Sequence, residues 1–199
     1  MKYDKQYYML CEAGLASKYM LGLDETSDEG LEHLMSLDSL KRRVLGKGTV
    51  QIYNGNKSKF TPCDFHNIPE QMISDKFRQL LLPLELPRVD FYYVDIKVGE
   101  KVWNDYFMMH IWNNYPAIHK GRSVIDGTYV DDDFFLEELS LDEDLLDSIP
   151  LNERLVFRLT EKPRFLFHES VVDILKSANL TGVSFLRVDG FSSGFMFDD

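Results

Sequence analysis

Cysteine is scarce: Cys11 and Cys63 are the only two in 199 residues. They form neither a C-x-x-C pair nor a disulfide framework, and a chain this long can bury a core without covalent staples. A reducing compartment is therefore expected, with the cytoplasm as the location. Long apolar runs are also missing, and nothing approaches the ~20 consecutive apolar residues of a membrane-spanning helix. The opening stretch MKYDKQYYMLCEAGLASKYMLGL is interrupted by Asp4, Lys5, Glu12 and Lys18, so it lacks the apolar centre of a secretory signal. No Pro/Gly/Ser linker, repeat or low-complexity tract divides the chain, which predicts one domain over residues 1–199.

Basic residues are missing where acidic ones are densest. Between Val124 and Pro150 there are ten Asp and Glu and no Lys or Arg. That segment holds almost the whole formal charge of -11, since the rest of the chain carries 23 acids against 22 bases. A concentrated negative field repels phosphate backbones, which argues against nucleic acid, and attracts a basic protein surface or a cation. The competing reading is a solvated face that serves solubility.

Catalytic signatures fail on spacing. His168-Glu169 resembles the start of H-E-x-x-H, but position 172 is Val172, so a second imidazole is missing from the helix face a zinc ion needs. Gly190 to Gly194 reads G-F-S-S-G with Ser192 in the nucleophile position, yet no histidine follows and only FMFDD remains. LGKGT, from Leu45, lacks the full phosphate-loop spacing, and DGTYVDDD, from Asp126, lacks the glycine and closing glutamate of an EF-hand. His33, His66, His110 and His119 have no mutual ligand spacing. No catalytic residue, metal or cofactor is expected.

What is present suits a folded protein: 44% hydrophobic and 13% aromatic residues, well above the range of disordered chains. QYYMLCEA reads as a first strand, and DEGLEHLMSLDSLKRRVL as a short helix. GKGTVQIYNGNK reads as turn, strand and turn, with Asn54-Gly55 marking the second turn. Ser74 is a helix N-cap, Asp75 lies in the first turn, and Pro83 stops the helix. RVDFYYVDIKV and KVWNDYFMMHIWN form a hairpin around Gly99-Glu100. The second run is apolar on both faces, Trp103, Phe107, Met109 and Ile111 on one and Val102, Tyr106, Met108 and Trp112 on the other. FFLEELSL is a weaker strand, and ERLVFRLT and RFLFH are two strands around EKP. A helix then starts at Glu169 or Ser170, carries an apolar stripe of Val171, Val172, Ile174, Leu175 and Ala178, and ends at Gly182. VSFLRV closes as a strand. The expected class is α+β, a mainly antiparallel sheet with a few helices packed on it. Residues 1–65 form a less regular N-terminal part and 66–190 the core.

The order of segments from Ile68 to Val188 carries a family resemblance. IPEQMISDKFRQLL, VDFYYVDI, YFMMHIWN, FFLEELSLD, IPLNERLVFRL and FLFHESVVDILKSANLTGVSFLRV together resemble the bacterial immunity-protein-eleven family, formerly a family of unknown function. The resemblance implies a non-enzymatic protein of polymorphic-toxin or type VI secretion systems that binds and silences a toxin in the producing cell. It implies no catalytic residues, and it makes Phe157, His168, Gly182 and Phe185 architectural. Combined with the charge pattern, it places toxin contact on Asp131, Asp132, Asp133, Glu137, Glu138, Asp142, Glu143 and Asp144, with a basic toxin surface as the partner. Neither nucleic acid nor membrane is an expected partner. The alternative is a small hydrolase or metal-dependent enzyme built from distant residues such as His110, His168 and the acidic segment, which requires a pocket holding at least two of them.

Overall fold

The computed structural model describes residues 1–23, 48–68, 71–127 and 134–192. Among them are thirteen strands and three α-helices. The N-terminal strands are β1 (Tyr7–Glu12), β2 (Met20–Leu23), β3 (Gly48–Asn54), β4 (Phe65–His66) and β5 (Met72–Ser74), followed by helix α1 (Asp75–Leu81). The long strands β6 (Val89–Val98) and β7 (Lys101–Ile111) come next, then β8 (Asn114–Tyr115), β9 (Val124–Asp126) and β10 (Phe135–Glu138). Helix α2 (Glu143–Ser148), β11 (Val156–Leu159), β12 (Phe165–His168), α3 (Glu169–Ser177) and β13 (Val183–Arg187) complete the chain. No helix among the described residues is long and apolar enough to cross a membrane. The helix expected over DEGLEHLMSLDSLKRRVL lies outside the described residues.

The strands form two main sheets and a ribbon, with antiparallel pairing predominant, so the α+β class stands. One sheet runs β13-β1-β12-β11-β8 and the other β2-β3-β6-β7-β5-β4, while β9 and β10 pair alone. Both main sheets bury apolar side chains on each face, and the period-2 alternation of their strands explains how. On β1, Tyr7 and Met9 join one core with Phe157, Leu159, Leu166, Leu136 and Leu146. Leu10 faces the other way, into a core with Val156, Phe167, Phe107 and Met109, which α1 and α3 complete through Phe77, Val172 and Leu175. The far face of the six-stranded sheet packs Val50, Ile52, Val94, Ile96 and Met108. The N-terminal part thus supplies a central strand to one sheet and three strands to the other.

Local rules account for the helix boundaries. The Ser74 hydroxyl accepts the Phe77 N–H at 3.2 Å, so α1 starts where a cap was expected. At α3 the cap is His168 itself: its Nδ1 accepts the Ser170 N–H at 3.3 Å, while the imidazole lies edge-on to Tyr7 with ring centroids 5.3 Å apart. The helix begins at Glu169, as read, but its donor is satisfied by the histidine rather than by Ser170. The left-handed residue that directly follows the end of α3 is Asn179, at φ 50°; Gly182, also left-handed, lies further along the loop. Gly182 has a different reason to be glycine. At φ 75° a Cβ there would lie 2.4 Å from Cys63 Cβ and 2.9 Å from the Phe65 carbonyl oxygen. It lets the loop before β13 pass against the segment leading into β4.

The β6–β7 hairpin turns at Gly99, whose φ of 61° suits the tight turn. Its pairing departs from strict alternation. Val94 faces Tyr106, but Ile96 faces Trp103, so β7 holds one extra residue at Asn104–Asp105. This bulge reverses the parity beyond it. Trp103 therefore packs with Tyr106, Met108 and Phe60 rather than with Phe107, and Val102 is exposed. The two-sided burial expected of this strand holds from Tyr106 to Met109.

Candidate docking surface

The acidic segment is built on the five-stranded sheet's first core. In the β9–β10 ribbon Leu136 lies opposite Ile125, and Phe135 opposite Asp126. Leu136 is buried in that core and Ile125 packs against it, so alternation turns Phe135 outward. Phe135 is 53% exposed and Val124 41%. Asp126, Glu137 and Glu138 are exposed around them. The outward face is thus an aromatic ring and a valine set among carboxylates.

The expected contact residues divide into two kinds, besides Asp131, Asp132 and Asp133, which lie outside the described residues. Glu137, Glu138 and Asp144 are exposed. Asp142 and Glu143 are partly buried and employed within the chain. The Asp142 carboxylate caps α2 by accepting the Leu145 N–H at 3.1 Å, and Glu143 Oε1 accepts the Lys2 N–H at 2.6 Å. A short helix needs an acceptor at its start, and the chain's own N-terminus needs an anchor, so these two carboxylates are supports.

The residues that hold this segment come from the N-terminal stretch, which composition and spacing left without a role. Asp4 is 6% exposed and accepts the Leu141 N–H at 2.7 Å and the Ser140 hydroxyl at 2.9 Å. The Tyr3 hydroxyl donates to Asp147, and Lys2 Nζ donates to the same carboxylate at 2.9 Å. Those two hydrogen bonds hold Asp147 below the usual carboxylate range. Arg154 donates to both Tyr3 and Tyr7 and lies over the Tyr3 ring. Burial pushes the Tyr7 hydroxyl up to about 12 despite Arg154, so it stays a neutral donor to the Arg154 carbonyl. An isolated aspartate in a sequence gives no sign of such a partner; only its position three residues before the apolar-rich β1 hints that it is drawn inward.

The histidines take separate places. His110 stacks edge-on with Trp112, with centroids 4.2 Å apart, and lies across from Asp90 in the β6–β7 ladder; burial pulls its pKa down, Arg158 adds to that, and Asp90 opposes it. His168 lies in the other sheet, where burial lowers its pKa too. His119 accepts the Gly121 N–H at 3.2 Å. His66 is fully buried, its Nε2 accepting the Cys63 N–H at 3.1 Å. Among the described residues no three or more His, Cys, Asp or Glu are grouped to hold a metal. Ser192 bridges Glu138 at the end of the ribbon.

A cleft of about 760 Å³ opens between α1 and the bulged end of the β6–β7 hairpin. Asp75, Arg78 and Gln79 line one wall, and Tyr93, Asp105 and Phe107 the other. Neither His110 nor His168 is among its lining residues. No protein-family model and no curated protein matches this chain.

Proposed function

We propose that this protein is a non-enzymatic immunity protein that binds a toxin in the cell that makes it and occludes the toxin's basic substrate or active site. The observation that carries the reading is the β9–β10 ribbon, which presents Phe135 and Val124 outward among Asp126, Glu137 and Glu138. The resemblance of the segment order to the immunity-protein-eleven family supports it, as does the acidic segment's lack of any Lys or Arg from Val124 to Pro150. An exposed ring framed by one sign of charge suits a protein interface: the ring desolvates at the centre while the charges steer encounter and set register. The buttressing by Lys2, Tyr3 and Asp4 reduces the ordering cost of binding, because the segment is held before the partner arrives.

On this reading Glu137, Glu138 and Asp144 meet basic groups of the toxin, Phe135 fills an apolar site between them, and Asp142 and Glu143 act indirectly by fixing α2. The cytoplasm is the compartment in which such an inhibitor works. Co-expression with the toxin that the proposal expects to be encoded beside this chain tests it. The wild type is expected to restore growth and Phe135→Ala to restore it poorly; growth arrest that the wild type does not relieve contradicts the proposal.

A further inference from the structure

We infer that the cleft between α1 and the β6–β7 hairpin binds a small organic ammonium group through Tyr93 and Asp105, both on its hairpin wall. The cleft shares no residue with the acidic ribbon, so this inference does not rest on toxin binding. Its volume of about 760 Å³ falls in the range of small-molecule sites.

The charges on the two walls are unevenly matched. Both basic groups of the α1 wall are engaged: Arg78 Nη1 donates to Asp75 at 3.1 Å, and its guanidinium lies over the Phe107 ring at 4.5 Å. Lys76 Nζ donates to the Asn179 carbonyl at 3.2 Å, with Asp64 3.9 Å away. Asp75 in turn is shared between Arg78 and Gln79. On the opposite wall Asp105 stands exposed on the β7 bulge and makes no hydrogen bond or ion pair among the described residues. The lining thus retains one uncompensated negative charge, and a concave wall focuses its field on whatever enters.

The rings on the same wall are surfaces that an ammonium favours. Tyr93 is 58% exposed and its ring packs on Phe107 with centroids 4.5 Å apart, so it is held in place yet open to a ligand. The Phe107 ring already carries the Arg78 guanidinium, whereas no cation of the described residues lies over Tyr93. Trp103, fixed edge-on against Phe60 with centroids 5.5 Å apart, adds a second aromatic side chain to the lining. Aromatic faces attract an alkylammonium through their quadrupole, and Asp105 adds a Coulombic pull that a neutral ligand does not feel. An anion meets the reverse, since Asp105 repels it and both bases of the lining are engaged. A free amine and a lysine side chain share the chemistry that fits.

Titration of the full chain followed by amide NMR tests this, with choline and N-acetyl-lysine amide as cationic probes, 3,3-dimethylbutanol as the neutral match of choline, and butyrate as the anion. At least one cation is expected to bind at millimolar concentration and shift the amides of Gln79, Tyr93 and Asn104; which one does so distinguishes a free quaternary amine from a lysine side chain. Asp105→Asn should weaken that binding about threefold or more, and added salt should weaken it in the wild type. Tyr93→Leu should weaken it by a similar factor, while Tyr93→Phe, which keeps the ring, should restore it. Both positions are exposed, so the variants are expected to fold. No cation binding below about 20 mM, binding of 3,3-dimethylbutanol or butyrate as tight as that of the cations, or unchanged affinity in either Asp105→Asn or Tyr93→Leu would overturn the inference.

Discussion

His66 should make the protein acid-sensitive in a way one substitution removes. The ring is fully buried. Because Nε2 accepts the Cys63 N–H, the neutral ring carries its proton on Nδ1, which has no hydrogen-bond partner among the described residues and lies 3.9 Å from Glu12 Oε1. Burial pushes its pKa down to about 4, against an ordinary value of 6.5. The folded pKa lies below the unfolded one, so the unfolded chain takes up the proton first as pH falls. The stability this site retains above pH 6.5 is therefore lost progressively between about 6.5 and 4. At about pH 4.5 the loss amounts to roughly 2–3 kcal/mol, at about 1.4 kcal/mol per unit. Glu12 works in the opposite direction, since burial raises its pKa while the Asn67 N–H partly offsets this, but it is common to wild type and variant. In His66→Gln the amide can still accept the Cys63 N–H but does not titrate. Urea unfolding of both proteins at pH 7 and pH 4.5 isolates the site, because His110 and His168 are common to both. The wild type should lose about 2 kcal/mol more than the variant over that interval; equal losses would refute the reasoning.

Three substitutions test the framework. Asp4→Ala leaves the buried Leu141 N–H and Ser140 hydroxyl without their acceptor and should cost roughly 2–4 kcal/mol in urea unfolding, with Asp4→Asn milder because one acceptor remains. Gly182→Ala drives a methyl against Cys63 and Phe65 at a left-handed φ, and thermal unfolding should show a loss of about 2–4 kcal/mol. His168→Ala removes the α3 cap, at a cost of about 1–2 kcal/mol by urea titration, part of which Asn should restore.

The elements legible in the sequence were those with local signals. The α1 boundaries followed from Ser74 and Pro83, and the β6–β7 and β11–β12 hairpins from apolar runs separated by turn residues. Long-range pairing leaves no such trace. β1 was readable as a strand, but its place between β12 and β13 depends on residues far along the chain, and so does the Asp4 contact with Leu141. Short β2, β8 and β9 are too brief to establish a period, and the bulge at Asn104–Asp105 breaks alternation inside a run that looks regular. The acidic segment was visible as charge. That Asp142 and Glu143 are occupied inside the chain was not, because capping and N-terminal anchoring are properties of geometry. The cleft was invisible for the same reason, since α1 and the hairpin meet only in the fold.

The association rate of the toxin partner proposed above tests the central claim most directly. With Glu137, Glu138 and Asp144 all changed to Lys, and unfolding checked to match the wild type, association at low salt should slow by roughly tenfold or more, and the difference should shrink as salt rises. An unchanged on-rate at low salt would contradict the account.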